Sequence, residues 1–139
     1  MRVVFDTNVL VAAFRSRTGA SYKLISMMPD KRFQPAVSLT LYFEYLEVLL
    51  RPKNIVPGKT VGNALNFIRR FLAFSHRQRV HFSWRPTLRD PDDDFVLELA
   101  IASQSSYIVT FNKTDFGNIN LFGLEAVSPA EFLRVIEDL

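Results

Sequence analysis

Four acidic positions could carry metal-dependent chemistry, because each follows a short apolar run or interrupts a longer one. Asp6 comes directly after RVVF, and Glu44 lies in SLTLYFEYLEVLL, a segment with few other charges. The other two are the acidic run at 90–94 and Asp115, in the polar segment FNKTDF. A carboxylate among apolar neighbours is costly to bury unless a cation or a hydrogen-bond donor meets it. Convergence of three or four such groups would suit Mg²⁺ or Mn²⁺, which prefer oxygen ligands.

Each acidic position also has an ordinary structural interpretation. Asp6 could cap a helix that begins at Thr7, and the acidic run at 90–94 could simply favour the start of a helix. Glu44 could be a surface residue beside Glu47, although Glu47 is the better candidate for a merely solvated side chain. Each motif alone is weak, and their joint order along the chain is the stronger indication of a site.

The amino-acid composition limits the types of functional site that the chain can form. The chain has no cysteine, which excludes disulfides, thiolate metal ligands and a cysteine nucleophile. Residues 1–89 carry 15 Lys and Arg against 4 Asp and Glu, whereas residues 90–139 carry 2 against 10. A basic surface beside a concentrated acidic site suits an enzyme that acts on a polyanion with divalent ions. The alternative is that the two parts neutralise each other in the folded protein.

Strands and helices alternate along the chain. Strands are expected at Arg2–Phe5, Phe33–Val37, Arg79–Phe82, Tyr107–Thr110 and Leu124–Val127, because these runs are short and apolar. Helices are expected after the first strand, from Ser38 to about Leu50, from Lys59 to about Arg77, after the acidic run, and from the SPAE segment at 128–131. In the helix after the acidic run, the residues expected to face the core are Phe95, Val96, Leu99, Ala100 and Ala102.

This alternation predicts an α/β fold with a central, mainly parallel sheet flanked by helices, built as one domain over residues 1–139. Functional groups in such folds gather beyond the carboxyl ends of the strands, where Asp6 and Thr110 would lie. No apolar stretch is long enough to span a membrane, and Asp6 comes too early for a signal-peptide core. We therefore expect a soluble, cytoplasmic protein without a membrane partner.

These motifs resemble those of the PIN-domain family over nearly the whole chain. VVFDTNVLV is similar to the family's opening strand with its Asp-x-Asn, and SLTLYFEYLEVLLRP to its glutamate helix. DPDDDFVLELAIASQSSYIVTFNKTDF is similar to the helix of the third acid, the following strand and the closing acidic loop. In detail the chain resembles the branch of PIN proteins that act as toxins in toxin–antitoxin pairs. The resemblance implies a metal-dependent ribonuclease that uses Mg²⁺ or Mn²⁺.

The resemblance also implies the roles of individual residues. The metal ligands and catalytic carboxylates would be Asp6, Glu44, Asp93 and Asp115. The supporting residues would be Asn8, Thr110, Asn112 and Asp90, with Asp90 as a helix cap. Because the run at 90–94 is crowded, Asp90 and Asp94 stay open as alternatives to Asp93 for the third ligand.

One departure from the family pattern concerns Asn112, which stands where relatives carry an aspartate and supplies no charge. Asp115 could supply the negative charge that Asn112 lacks. The alternative is a catalytically impaired RNA-binding or scaffold module with a PIN fold. A phosphatase with an aspartyl nucleophile fits less well, because Asn8 stands where its second aspartate would be. A receiver-type signalling domain would need a lysine after a late strand, and Lys113 is the one nearby.

The expected partners are RNA, an antitoxin protein and a second copy of the chain. Arg15, Arg17, Arg51 and Lys53 follow the first two motifs and could contact the RNA backbone, or could be ordinary solvated charges. The helix from Lys59 has a wide apolar face that includes Phe67, Phe71 and Phe74. That face could bind a second copy or an antitoxin helix, or it could belong to a larger core.

Overall fold

The residues that the structure describes form a five-stranded parallel sheet at the centre of the fold. The computed structural model describes residues 1–81 and 91–139, with the side chains of the helix that starts at Pro91 described from Asp94 onward. The strands lie in the order β3-β2-β1-β4-β5, and every neighbouring pair is parallel. They are β1 (Arg2–Phe5), β2 (Gln34–Val37), β3 (His76–Arg77), β4 (Tyr107–Val109) and β5 (Glu125–Val127). This confirms the predicted α/β class and parallel sheet.

Helices flank the sheet and connect its strands. The described α-helices are α1 (Thr7–Arg15), α2 (Ala20–Ser26), α3 (Leu39–Leu49), α4 (Val61–Ala73), α5 (Pro91–Ala102) and α6 (Pro129–Glu137). Short 3₁₀ helices occupy Pro52–Asn54, Lys113–Phe116 and Ile119–Phe122. None of the described helices has the length and apolar character needed to cross a membrane.

Aromatic side chains hold the helices against the central strand. Phe5, at the end of β1, is fully buried and packs its ring against Phe33, Phe71 and Phe132, with centroids 5.9–6.4 Å apart. Phe71 belongs to α4 and Phe132 to α6, so one strand residue joins two helices that lie far apart in sequence. Burying a large aromatic side chain contributes several kcal/mol of transfer free energy. The end of β1 is therefore well fixed, and so is the residue that follows it, Asp6.

Two helix starts confirm the capping signals in the sequence. Ser38 caps α3 through a hydrogen bond from the Leu41 N–H, and Ser128 caps α6 through a bond from the Glu131 N–H. Glu131 returns the bond by accepting from the Ser128 N–H at 2.9 Å, which completes the capping box that SPAE predicts. Capping of α3 fixes its first turn beside the end of β2, and Glu44 lies one to two turns further on.

The prediction that one helix runs from Lys59 to about Arg77 is wrong at its end. The helix α4 stops at Ala73, and His76–Arg77 form β3 by pairing with Ala36 and Val37 of β2. The strand predicted at Arg79–Phe82 is wrong as well: β3 ends at Arg77, residues 79–81 are not in a strand, and Phe82 lies outside the described residues. The partner surface suggested on this helix is also corrected, because Phe71 is 1% exposed and belongs to the core. Phe67 packs on Phe14, and Arg70 covers the ring of Phe74.

The helix α5 also differs from its prediction. Phe95, expected in the core, is 44% exposed, whereas Val96, Leu99 and Ala100 are buried as expected. Leu97 is buried too, as are the acidic Asp94 and Glu98. The helix packs against β1, β2, β4 and α3, so residues around much of its circumference are covered. A helix enclosed in this way has no simple apolar stripe from which its inner face could be read.

Candidate active site

The candidate site lies where the strand order reverses, beyond the carboxyl ends of β1, β2 and β4. Phe5 pairs with Val109, so the residues that follow them, Asp6 and Thr110, stand side by side. The Asp6 N–H donates to the Val109 carbonyl at 2.9 Å, which extends the pairing by one residue. The change of direction in a parallel α/β sheet opens a crevice at this edge, and ligands bind there in such folds.

Asp6 is held from two directions. Its Oδ1 accepts a 2.9 Å hydrogen bond from the Thr7 N–H, so it caps α1 as the structural interpretation of the sequence predicts. Its Oδ2 accepts from the Thr110 hydroxyl at 2.8 Å and from the Asn8 side-chain amide at 3.4 Å. These donors fix the orientation of the carboxylate. Capping and participation in a site are therefore compatible for Asp6.

Glu44 reaches the same place from α3. The Thr7 hydroxyl donates to Oε2 of Glu44, while the Thr7 N–H donates to Asp6. One threonine thus bridges two carboxylates that are far apart along the chain. Sequence reasoning missed Thr7, and the signal that could have found it is its place between Asp6 and Asn8.

Tyr45 connects α3, which carries Glu44, to the strand that ends before Asp6. Its side chain is fully buried, and its hydroxyl donates to the Phe5 carbonyl at the end of β1. Burial raises the pKa of the Tyr45 phenol well above its usual range, and the negative charges of Asp6 and Glu44 raise it further. The phenol therefore stays protonated and anchors α3 to β1, which positions Glu44.

Thr110 and Asn8 connect β4 to this network. Thr110 is fully buried, and its hydroxyl also accepts a 3.0 Å bond from the Asn112 N–H. Oδ1 of Asn8 accepts from the Phe111 N–H at 3.3 Å. Asn112 enters the network through its backbone, whereas its side chain is exposed. Among the described contacts, Asn112 therefore supports Thr110 through its backbone N–H.

Of the other acidic residues predicted for the site, Asp94 and Asp115 have side chains that the structure describes. Asp115 is exposed, on the 3₁₀ helix Lys113–Phe116, and Lys113 anchors this segment by a 2.8 Å ion pair with Glu131. Asp90, and the side chain of Asp93, lie outside the described residues. Asp94, the other alternative for the third ligand, is 6% exposed, and Glu98, one turn further along α5, is 7% exposed. Sequence reasoning did not single out Glu98, although apolar residues surround it in FVLELA as they surround Glu44 in SLTLYFEYLEVLL, and this signal could have found it.

The two carboxylates of the site suit a hard divalent cation. Asp6 and Glu44 supply carboxylate oxygens, and the hydroxyl and amide donors around them orient those oxygens as partners behind metal ligands do. Among the side chains that the structure describes, no three Asp, Glu or His residues form a group that could hold a metal ion. A complete set therefore depends on a further side chain, and the assignment of ligands stays a prediction.

A basic cavity lies next to this site at the same edge of the sheet. It has a volume of about 730 Å³ and includes Arg77 at the end of β3 and Arg79 just after it, together with Ser38 and Thr40 at the start of α3. The four basic residues singled out from the sequence, Arg15, Arg17, Arg51 and Lys53, are exposed, and Arg51 forms a 3.2 Å ion pair with Glu47. Arg77 and Arg79 were missed because the predicted helix and strand boundaries placed them elsewhere.

Comparisons with known proteins agree with this architecture. The family model described as the PIN domain matches residues 2–114. Among solved structures, VapBC2 from Rickettsia felis bound to a DNA fragment from their promoter has a TM-score of 0.60 at 17% identity, covering 91% of this chain and 98% of that chain. VapBC-1 from nontypeable Haemophilus influenzae has a TM-score of 0.59 at 13% identity, covering 94% and 99%. The search of curated proteins found no match.

Proposed function

Because this chain belongs to the PIN-domain family, we propose that it is a ribonuclease that hydrolyses RNA phosphodiesters with the help of Mg²⁺ or Mn²⁺. The observation that supports this most is the bridge made by Thr7, which holds the carboxylates of Asp6 and Glu44 together at the edge where the strand order reverses. Two converging, oriented carboxylates at this position suit a divalent ion better than they suit a purely structural role, since each negative charge repels the other.

Individual residues of the chain would have different roles in the reaction. Asp6 and Glu44 would hold the ion, with Asp93 on α5 as the third ligand, because Asp6, Glu44 and Asp94 do not form a group that could hold a metal ion. Thr110 and Asn8 would keep Asp6 oriented through their hydrogen bonds to Oδ2. Asp115 would orient the attacking water from the loop after β4. When bound, the ion would lower the pKa of a water ligand and stabilise charge on the phosphate.

The basic cavity supports a polyanionic substrate. Arg77 ends β3 and Arg79 follows it, two strands from Asp6 in the same sheet, so a strand of RNA could contact both regions. Arginine is well suited to phosphate oxygens because its planar group can donate two parallel hydrogen bonds. The carboxylate region would then act on one phosphate while the arginines neutralise others.

Asn112 does not by itself favour the alternative of an impaired RNA-binding module. Its side chain is exposed, and its backbone N–H supports Thr110. Loss of a carboxylate at this position therefore leaves the hydrogen bonds among Asp6, Thr7, Glu44 and Thr110 unchanged. We infer that activity would be retained.

We further propose that the chain is the toxin of a toxin–antitoxin pair and binds an antitoxin protein. The support is the resemblance of its motifs to that branch of the family, together with a fold shared with two structures named VapBC. Growth arrest on expression of the chain, relieved by co-expression of a small protein from the neighbouring reading frame, would test this. Growth unaffected by expression of an active nuclease would contradict it.

Cleavage by the purified chain tests the enzymatic proposal. We expect an unstructured RNA to be cut in the presence of Mn²⁺ or Mg²⁺, and the activity to disappear on addition of EDTA and return with excess metal. A DNA oligonucleotide of the same sequence tests the restriction to RNA. A folded protein that cuts no RNA at millimolar Mn²⁺ would favour the impaired module instead.

A further inference from the structure

A second cavity lies at the opposite edge of the sheet, where β1 and β2 begin. Its volume is about 390 Å³, and pockets that hold a small molecule measure roughly 300–1,000 Å³. Its lining comes from the start of β1, from the segment between α2 and β2, and from Phe74 just after α4. Asp6 follows the other end of β1, and neither Asp6 nor Glu44 lines the cavity. The cavity is therefore separate from the candidate active site.

Part of the lining is apolar. Met28 and Phe33 are 3% and 2% exposed, and Phe74 is half-buried. Arg70 already covers the ring of Phe74, with its guanidinium 5.5 Å from the ring centroid. A thioether and aromatic rings make favourable contacts with a further aromatic ring. This part of the lining therefore favours an occupant with an aromatic body.

Positive charge predominates in the polar part of the lining. Arg2 and Lys31 line the cavity, and the ion pairs among the described residues include neither of them. Nη1 of Arg2 donates to the Ser103 carbonyl at 3.3 Å, and this neutral partner does not compensate the charge of Arg2. Lys31 is exposed. Both cations can therefore interact with a ligand in the cavity.

Asp30, the acidic residue of the lining, does not offset these cations. Its carboxylate forms a 2.8 Å ion pair with Arg32 and also accepts a 2.8 Å hydrogen bond from the Arg32 N–H. These hydrogen bonds lower the pKa of the Asp30 carboxyl to about 2, so at neutral pH it stays ionised and engaged with Arg32. The charges of Arg2 and Lys31 therefore give the cavity a preference for anions.

We propose that this cavity binds a small aromatic anion. The ring of the ligand lies against Met28 and Phe74. Its anionic group, a carboxylate, sulfonate or phosphate, lies beside Arg2 and Lys31. A cation of the same size would meet two like charges, and a neutral ring would gain from the apolar contacts alone. The inference goes beyond the proposed function and does not depend on it.

Methionine methyl groups report this binding directly. Met28 lines the cavity and its neighbour Met27 does not, so the ¹H–¹³C spectrum of protein labelled at the methionine methyls contains an internal control. The probe is naphthalene-1-carboxylate at neutral pH, with 1-naphthalenemethanol as the neutral analogue and 1-naphthylmethylammonium as the cation. We expect a saturable shift of the Met28 signal, with the carboxylate binding most tightly and the ammonium least. Comparison with 1-naphthyl phosphate identifies the preferred anionic group.

Charge variants separate the role of Lys31 from that of surface charge in general. Lys31→Gln should weaken binding of the carboxylate by roughly 5-fold or more and leave binding of the neutral analogue unchanged. Arg2→Gln should act in the same direction. Lys23→Gln is the matched control, because Lys23 is exposed on α2 and does not line the cavity. It should bind the carboxylate like wild type.

The inference would be overturned by equal affinity for the carboxylate, the alcohol and the ammonium, or by wild-type affinity for the carboxylate in folded Lys31→Gln and Arg2→Gln. Equal shifts of the Met27 and Met28 signals, or no saturable shift at millimolar carboxylate, would overturn it too. RNA cleavage is not the readout of any of these experiments. Their failure would therefore leave the proposed function standing.

Discussion

The hydroxyl of Thr110 donates a 2.8 Å hydrogen bond to Oδ2 of Asp6 and so joins two residues that are 104 positions apart in sequence. The two residues follow paired positions on neighbouring strands, and the hydroxyl is fully buried. The bond fixes the carboxylate on the side opposite to Thr7. Thr110 thus positions Asp6 without any need to touch the substrate.

Replacing Thr110 with valine should remove this donor while keeping the shape of the side chain. Loss of a partner behind a metal ligand typically costs about 10- to 100-fold in metal affinity or activity. We expect a fall of that size in Mn²⁺-dependent RNA cleavage, with higher Mn²⁺ needed for half-maximal rate. Thr110→Ser keeps the hydroxyl and should retain most of the activity. A valine variant with the wild-type Mn²⁺ dependence would show that the bond does not matter for the site.

Phe71 should behave as a core residue and not as part of an interface. It is 1% exposed and packs against Phe5 and Tyr45 at centroid distances of 5.9 and 5.8 Å. Phe71→Ala should lower the free energy of unfolding by about 3–5 kcal/mol. Val61→Ala, at a 52% exposed position of the same helix, should change it by about 0.5 kcal/mol or less. Urea denaturation measures both, and equal effects would contradict the assignment of Phe71 to the core.

Glu131 gives the stability a pH dependence with a definite sign. Its hydrogen bonds with Lys113 and Ser128 lower its pKa from 4.5 to about 2. A lowered pKa in the folded state contributes stability above the unfolded value, and that contribution disappears as the pH falls from about 4.5 through 2. Glu131→Gln should therefore have a lower melting temperature than wild type at about pH 6, and the difference should shrink below about pH 4. A difference independent of pH would exclude this origin.

Added Mn²⁺ should raise the melting temperature of the wild-type chain. An ion that binds the folded state adds about 2.7 kcal/mol when its concentration is about 100 times its Kd, which corresponds to several degrees in a domain of this size. The matched variants are Glu44→Gln, which removes one charge from the site, and Glu137→Gln, which removes one from the end of α6. The shift should persist in Glu137→Gln and shrink in Glu44→Gln. Equal shifts in both would place metal binding elsewhere.

The sequence predicts correctly those parts of the fold that depend on residues close together in the chain. The strand before Asp6, the caps at Ser38 and Ser128 and the strand before Thr110 all follow from patterns of a few residues. The end of α4 does not, because His76 and Arg77 become a strand by pairing with Ala36 and Val37, which lie far back along the chain. No proline or glycine marks that boundary in the sequence, so tertiary pairing overrides the helical pattern.

The charged residues of the candidate site could be predicted from the sequence, but the hydrogen bonds that connect them could not. Asp6 and Glu44 stand out from the sequence because of their apolar surroundings. The bridge through Thr7 depends on the distance between α1 and α3, which no local pattern contains. The exposure of Phe95 and the burial of Glu98 depend on how α5 is enclosed by three strands and α3. Neither feature of α5 could therefore be predicted from the sequence.

The most direct test of the account is RNA cleavage by Asp6→Asn, measured with Mn²⁺ beside Asp138→Asn as a charge-matched control. Asparagine in place of Asp6 would keep an oxygen to cap α1 and would remove one ligand charge, so circular dichroism should show both variants folded. We expect the Asp6 variant to lose Mn²⁺-dependent cleavage and the Asp138 variant to retain it. Cleavage at the wild-type rate by a folded Asp6→Asn protein would contradict the proposed site.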